Sequence, residues 1–286
     1  MAIPRLNGAI KALENGGTAF TTFSAPTAEN AQALSGAAYD AVVFEMEHGA
    51  YDIKALRESL QYMLDRKQLV DGGTLAPAVT PLVRIPPNGG EMNQWIAKQV
   101  LDSGVYGIVW PHVSTVEEAY NAVTACRYPR PQENPLYNPP GQRGDAPTAA
   151  ARYWGISQQE YYKRADVWPL APDGEILVAI MCEEVKAVEN LPDILEKVPG
   201  IGLVVIGEGD LSQDLGFPRQ YDHPLVVEAM GKVLETCKKF NVACGHPHVD
   251  SRNVERVVQQ GFRWLMASPE RSYNALSTGR KLAGRS

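Results

Sequence analysis

The chain has 286 residues, 44% hydrophobic and 21% charged, with a formal net charge of −6; that is enough apolar material for one large core, and it lacks the basic surplus that nucleic-acid binding uses. The first residues, Met1 to Asn15, carry no apolar run of the kind a secretion signal needs, and no stretch of about 18 apolar residues is present, so the expectation is a cytoplasmic protein with no membrane or nucleic-acid partner. Its cysteines, Cys126, Cys182, Cys237 and Cys244, form no C-x-x-C pair and read as reduced thiols.

In chain order, short apolar and β-branched runs predict strands at Ala19–Phe23, Ala41–Phe44, Pro81–Arg84, Gly107–Trp110, Ile176–Met181, Gly202–Ile206, Ala243–His246 and Arg263–Met266. Runs such as LVVI and ILVAIM suit strands buried on both faces. Helical spacing predicts helices between them. Asp52–Arg66 carries Leu56, Leu60, Met63 and Leu64; Gly90–Asp102 carries Met92, Trp95, Ile96 and Val100. Thr115–Cys126 opens on a Ser/Thr-x-x-Glu capping pattern, and Pro192–Val198 and Pro224–Phe240 follow. Alternating β and α units imply a parallel sheet, and eight of them favour a closed (β/α)8 TIM barrel, one domain over residues 1–286, above an open doubly wound sheet. Residues 128–173 break the rhythm. They are rich in Pro, Tyr, Trp and Gln and too long for a simple connection, so they are expected to form an inserted loop or helical segment at the barrel mouth or a subunit interface.

Active-site groups of such barrels gather where strands end, and the residues following these strands are unusually polar. Glu183 and Asp210 follow neighbouring strands and can share a Mg²⁺ or Mn²⁺ ion through hard oxygen donors, leaving open positions for a chelating 2-oxo acid; alternatively each caps the helix that follows. Arg84 can grip a carboxylate or stabilise an enolate oxygen, or serve a salt bridge of the fold. His48 can act as a general base or be structural. Asp102 lies at a helix end whose dipole disfavours it, so it either has a specific partner such as a histidine or is solvated. The Gly207–Glu208–Gly209 turn exposes backbone N–H groups that can hold a carboxylate. Trp110 and these three join Arg84 as candidate substrate-binding residues. His246 and His248 alternate along an extended segment, so at most one is expected to line the pocket.

The blocks Val42–Val43–Phe44–Glu45–Met46–Glu47–His48, Pro81–Leu82–Val83–Arg84–Ile85–Pro86, Gly141–Gln142–Arg143–Gly144, Ile180–Met181–Cys182–Glu183 and Val205–Ile206–Gly207–Glu208–Gly209–Asp210–Leu211–Ser212 resemble the HpcH/HpaI aldolase/citrate lyase family, in order and spacing, from Thr18 to Leu276. The resemblance implies a hexameric (β/α)8 barrel with a divalent cation (Mg²⁺ or Mn²⁺, with Co²⁺ a further option) and no Schiff-base lysine. It implies an aldolase that cleaves or forms 4-hydroxy-2-oxo acids, with pyruvate or a close 2-oxo acid as nucleophile and an aldehyde as acceptor. By motif it makes Glu183 and Asp210 the metal ligands, Arg84 the residue on the keto oxygen, and His48 the acid/base residue paired with Asp102. The Gly209 backbone would hold the substrate carboxylate.

The chain departs from the family pattern at several points. Glu45 replaces a frequent Asp, Met181 a frequent Gln, and Gly207–Glu208–Gly209–Asp210 stands where Gly-Pro-Ala-Asp is common; the stretch from Leu69 to Thr80 reads as inserted. The aromatics Tyr153 and Trp154, with Arg143, suggest either a large acceptor pocket in the same or a neighbouring subunit or a packed interface. Two other catalytic readings use the same site, oxaloacetate decarboxylation and citryl-thioester cleavage, and the second lacks a basic cluster for coenzyme A. A non-catalytic binding barrel would be expected to lose Arg84 or a carboxylate, and all are present.

Overall fold

The computed structural model describes residues 4–86, 91–92 and 94–268. Eight parallel strands close on themselves: β1 (Ala19–Ser24), β2 (Ala41–Glu45), β3 (Thr80–Arg84), β4 (Gly107–Trp110), β6 (Ile176–Cys182), β7 (Leu203–Ile206), β8 (Ala243–His246) and β9 (Trp264–Met266), with β9 pairing back to β1. All eight expected strands are present, their ends shifted by at most one residue. The two-residue β5 (Val167–Trp168) adds to the start of β6 rather than entering the ring. Among the described residues no helix is long and apolar enough to cross a membrane, and all four cysteines are buried and free.

Strand alternation sorts the core into two layers. Alternate positions of each strand fill the barrel: Ala41, Val43, Leu82, Val109, Leu177, Ala179, Met181, Leu203, Val205, Ala243, Trp264 and Met266 pack into one cluster. The alternating neighbours, among them Val42, Phe44, Val83, Ile108, Trp110, Val178, Ile180, Val204, Ile206 and Leu265, face the helices. Helix α1 (Gly8–Leu13) plugs the foot, where strands begin, with Ala9, Ile10 and Leu13 joining the interior cluster.

Helix boundaries follow local chemistry. The expected Asp52–Arg66 helix is two helices, α3 (Ile53–Tyr62) and α4 (Arg66–Gly72). Each starts on an aspartate cap, Asp52 and Asp65, whose side chain accepts from two backbone amides. The helix expected from Pro192 begins earlier: α9 spans Val185–Lys197 with Pro192 inside. Thr115 and Glu118 form the expected capping box of α6 (Val116–Ala125). Of the expected Gly90–Asp102 helix, residues 90 and 93 lie outside the described residues, and α5 covers Gln94–Ser103. Residues 269–276, where the resemblance ends, also lie outside them. Short helices α2 (Ala28–Leu34), α7 (Thr148–Trp154), α8 (Gln158–Arg164), α10 (Glu208–Asp214) and α12 (Val254–Gln260) complete the set with α11 (Pro224–Lys239).

The long excursion does not cover the mouth. It packs at the foot: Trp154 stacks on Tyr106 at 4.5 Å and donates Nε1–H to the Gly104 carbonyl at 2.8 Å. Its anchor is Arg127, which donates Nε–H to Asp166 Oδ1 at 2.6 Å and Nη2–H to Asp166 Oδ2 at 3.0 Å, and bonds the Pro139 and Leu136 carbonyls. Burial favours the neutral acid at Asp166, but the Arg127 guanidinium outweighs it and holds the pKa below the ordinary value. Tyr153, Trp154 and Tyr161 are therefore buried packing residues, and the idea that Tyr153 and Trp154 line an acceptor pocket of the same chain is set aside.

Fully buried Glu175 ties the foot together. Its Oε1 accepts from the Leu6 amide at 3.0 Å, its Oε2 from the Asn7 amide at 2.9 Å, and Arg164 pairs with it. Glu175→Ala removes the acceptor of the Leu6 and Asn7 amides and the carboxylate paired with Arg164, at an expected cost of about 3 kcal/mol, or a fall of roughly 6–12 °C in melting temperature. A thermal melt within a degree of the parent would contradict this account of the plug.

Candidate active site

The same alternation that fills the barrel carries charge to its mouth. Glu45 ends β2, Arg84 ends β3, and Glu183 continues the inward series Leu177, Ala179, Met181 one step beyond β6. Gly207 occupies the corresponding place after β7. It has to be glycine, since a Cβ there would lie 2.1 Å from Glu183 Oε2, so Glu183 packs directly against the backbone that begins α10. Asp210 stands in the first turn of that helix.

Arg84 is held by both acids of the β2 loop. Its Nε–H donates to Glu45 Oε2 at 2.8 Å and its Nη2–H to the same oxygen, while Nη1 lies 2.9 Å from Glu47 Oε2 as an ion pair. Among the described residues Glu47 Oε2 has no partner in hydrogen-bond geometry, so this contact is charge attraction with the N–H misaligned. The guanidinium also sits 4.5 Å from the Phe23 ring centroid and Nη1 lies 3.7 Å from Met181 Sδ. Glu45 braces its own loop as well, since its Oε1 accepts from the amides of Glu47 and His48, at 2.7 and 3.1 Å. The His48 ring remains exposed, its Nε2 3.6 Å from Glu47 Oε2.

His112, which strand periodicity does not single out, stands at the centre. Its amide donates to Glu183 Oε1 at 2.6 Å, its Nδ1 lies 3.1 Å from Glu184 Oε1, and its Nε2 lies 3.9 Å from Glu47 Oε1. Glu184 is braced in turn by the Ser114 hydroxyl at 2.5 Å. Donor atoms of His112, Glu183 and Asp210 all lie within 4.8 Å of one another.

Trp110 was the residue expected from this loop, and the expectation fails for a geometric reason. Trp110 follows the inward-facing Val109 on β4 and so lies in the helix-facing layer, 1% exposed. Beyond it the strand alternation lapses, because His112 takes a left-handed conformation with φ 50°, and the turn brings that ring back to the mouth. A histidine two residues past a strand end was the available signal.

Two other expectations need correction. Within the chain His48 and Asp102 do not meet: His48 follows the end of β2 at the mouth, whereas Asp102 closes α5 at the foot, where its Oδ1 accepts from Arg143 Nη2–H at 2.9 Å. The Glu208 carboxylate, expected on the substrate, is engaged by the His248 ring instead. Glu208, His246 and His248 line a separate cavity of about 690 Å³ between β8, α11 and α12. Both histidines reach it because β8 stops at His246, which ends the alternation expected to separate them. Gly209 has open space where a Cβ would stand, and the first-turn amides of α10 have no acceptor within the helix.

The electrostatics suit a cation. Burial raises the Glu183 pKa to about 7 against the pull of His112 and its amide. Glu47 is raised as well, burial outweighing Arg84 and His48. For His112, burial opposes the charged ring, but Glu183, Glu184 and Glu47 prevail and its pKa lies above the ordinary value. Two carboxylates and one imidazole converging from three loops form a donor set that suits a divalent ion.

The family model for HpcH/HpaI aldolase/citrate lyase matches residues 22–267. Among curated relatives, the hydroxypyruvate/pyruvate aldolase of Roseobacter denitrificans is 28% identical over 281 residues, covering 98% of this chain and 97% of that one. The 2-keto-3-deoxy-L-rhamnonate aldolase of Klebsiella pneumoniae is 30% identical over 255 residues, covering 88% and 83%. Among solved structures, an HpcH/HpaI aldolase/citrate lyase family protein from Burkholderia cenocepacia superposes with a TM-score of 0.76 at 25% identity, covering 97% of this chain and 98% of that one.

A Glu183 pKa near 7, above the ordinary 4.5, means that between these values the folded chain holds a proton the unfolded chain has lost. The stabilisation this gives is complete below the ordinary value and disappears as pH rises through 7. A cation needs the ionised acid, so Mn²⁺ affinity should rise with pH toward neutrality, with proton release on binding. Calorimetry in two buffers of different ionisation enthalpy measures both. An affinity constant from about pH 5 to pH 8, with no proton released, would contradict the assignment.

Proposed function

The chain belongs to the HpcH/HpaI aldolase/citrate lyase family, whose named relatives here are aldolases, and we propose that it is a divalent-metal-dependent aldolase cleaving and forming 4-hydroxy-2-oxo acids, with pyruvate or a close analogue as the enolate component. The observation that carries the reading is the convergence of His112, Glu183 and Asp210 donor atoms within 4.8 Å, joined to Arg84 through Glu47.

Glu183 and Asp210 would hold the ion, with His112 as a third donor. Mg²⁺ and Mn²⁺ suit the two carboxylates, and the imidazole also accommodates Co²⁺. When bound, the cation supplies positive charge at the keto oxygen of a chelating 2-oxo acid. Arg84, fixed by Glu45, donates toward that oxygen and stabilises the charge developing on it as the C3–C4 bond breaks. The first-turn amides of α10, that of Gly209 among them, offer N–H groups to the substrate carboxylate. His48 takes the proton of the C4 hydroxyl, so C4 leaves as an aldehyde carbonyl. The bond's electron pair passes to a pyruvate enolate, which takes a proton at C3 to give pyruvate. Addition runs these steps backwards.

His48 and Asp102 lie at opposite ends of one barrel, so an Asp102 that serves His48 does so from a second copy. This fits a homo-oligomer in which the foot of one barrel meets the mouth of the next, and the exposure of the His48 ring, 67%, is consistent with it. Glu208 belongs to the wall of the neighbouring cavity in this reading.

Pyruvate release from a 4-hydroxy-2-oxo acid, followed after chelation and again after adding Mg²⁺ or Mn²⁺, tests the proposal. Turnover should vanish on chelation and return with the ion. Glu183→Gln and Asp210→Asn should each reduce it at least about 10³-fold, and Arg84→Met about 10²–10³-fold. Undiminished turnover in excess chelator would overturn the reading.

A further inference from the structure

Arg143 is buried to 0% side-chain exposure, yet its donors are poorly used. Nη2–H donates to Asp102 Oδ1 at 2.9 Å and to the Tyr161 hydroxyl at 2.8 Å, while Nε and Nη1 find no acceptor among the described residues. The guanidinium instead faces aromatic rings, with Cζ 4.5 Å from the Tyr128 centroid and 5.4 Å from that of Tyr161. Arg127, in the same layer, shows what a fold-holding arginine looks like, since all three of its nitrogens donate. A buried guanidinium with two idle edges is expensive to keep, and the group it serves is one carboxylate.

That carboxylate is itself badly placed for stability. Asp102 stands in the last turn of α5, where the helix dipole disfavours negative charge. Arg143 takes one of its oxygens. The other accepts no hydrogen bond among the described residues, and the side chain remains 15% exposed. Asp102 is thus gripped from inside and presents a free acceptor to the surface.

We infer that Arg143 is a positioning residue for catalysis: it holds Asp102 ionised and oriented so that the free oxygen can receive the His48 imidazole of a second copy. The inference rests on the reading above in which Asp102 serves His48. The groups facing Asp102 are Arg57 from α3, Lys98 from α5, and Arg143, Tyr128 and Tyr161 from the excursion. Burial pushes the Asp102 pKa above its ordinary value, and Arg143 is the foremost group resisting it. Lys98 and Arg57 make no hydrogen bond to the carboxylate among the described residues, and their attraction is weakened by solvent and salt. Gly141, two residues before Arg143, approaches the Tyr128 carbonyl so closely that a Cβ would lie 2.2 Å from it. The Arg143 backbone is fixed as well, its N–H donating to the Arg127 carbonyl at 2.9 Å.

The test is the pH profile of kcat/KM for pyruvate release by the full-length, metal-loaded enzyme, with melting temperature as a control for folding. Removing a buried cation raises the proton affinity of every neighbouring group, so Arg143→Met should move the acid limb to higher pH. It should also lower kcat by about tenfold or more, with little change in KM. Arg143→Lys should recover part of both. In an Asp102→Asn background, Arg143→Met should add no further loss. A wild-type profile for Arg143→Met, or losses that multiply with Asp102→Asn, would overturn the inference. If Arg143→Met does not fold, Tyr161→Phe removes the other Nη2 partner and should shift the limb in the same direction by less; an unmoved limb would overturn it. Full activity of Asp102→Asn would sink the assignment of Asp102 itself, whereas a crippled Asp102→Asn beside an unmoved Arg143→Met limb would sink this inference alone.

Discussion

Four carboxylates, Glu45, Glu47, Glu183 and Asp210, meet at one end of the barrel, and within that group Arg84 and His112 bring the positive charge. Burying acids is unfavourable unless they are paired or share a cation. Arg84 compensates Glu45 and Glu47 directly, which leaves Glu183 and Asp210 to His112. The result is visible in Glu183, whose pKa stands near 7, and in His112, whose ring is drawn toward its charged form. A site with this charge balance suits a divalent ion, and in the proposed reaction the arginine beside it would share the charge of an enolate.

The barrel separates its duties between its two ends. Strand ends at the mouth continue the inward-facing series of each strand, so chemistry accumulates there. At the foot, Glu175 fastens the entry helix and the Arg127–Asp166 pair fastens the aromatic excursion. Arg143 and Asp102 belong to the foot in position but have the character of a functional site: a strained electrostatic arrangement with one acceptor left at the surface. In the proposed reading, joining foot to mouth across two copies would give that arrangement a purpose in the reaction.

Much of this was legible in the sequence because strand periodicity is strong when both faces are buried. LVVI and ILVAIM could be little else, and the alternation along ILVAIM orients Glu183 as that along PLVR orients Arg84. The misses share a cause. Periodicity says nothing once a strand ends, so the left-handed turn at His112 and the bend after His246 were invisible, and Trp110 was chosen where His112 should have been. Helix breaks set by single aspartate caps, as at Asp65, were hidden under a continuous apolar pattern. Placement of the 128–173 excursion depended on long-range partners such as Asp166 and Tyr106, which no local pattern reveals. The pairing of His48 with Asp102 came from family resemblance, and only the fold shows that the two lie at opposite ends of one barrel, so that a pairing would have to run between copies.

The central claim is that Glu183 and Asp210 share one cation with Arg84 close enough to act on the same substrate oxygen. A crystal structure with Mn²⁺ and pyruvate, with anomalous differences recorded at the manganese edge, addresses it most directly. The account predicts one anomalous peak bounded by Glu183, Asp210 and His112, and the pyruvate keto oxygen between that peak and the Arg84 guanidinium. A peak elsewhere, or pyruvate seated away from Arg84, would contradict it.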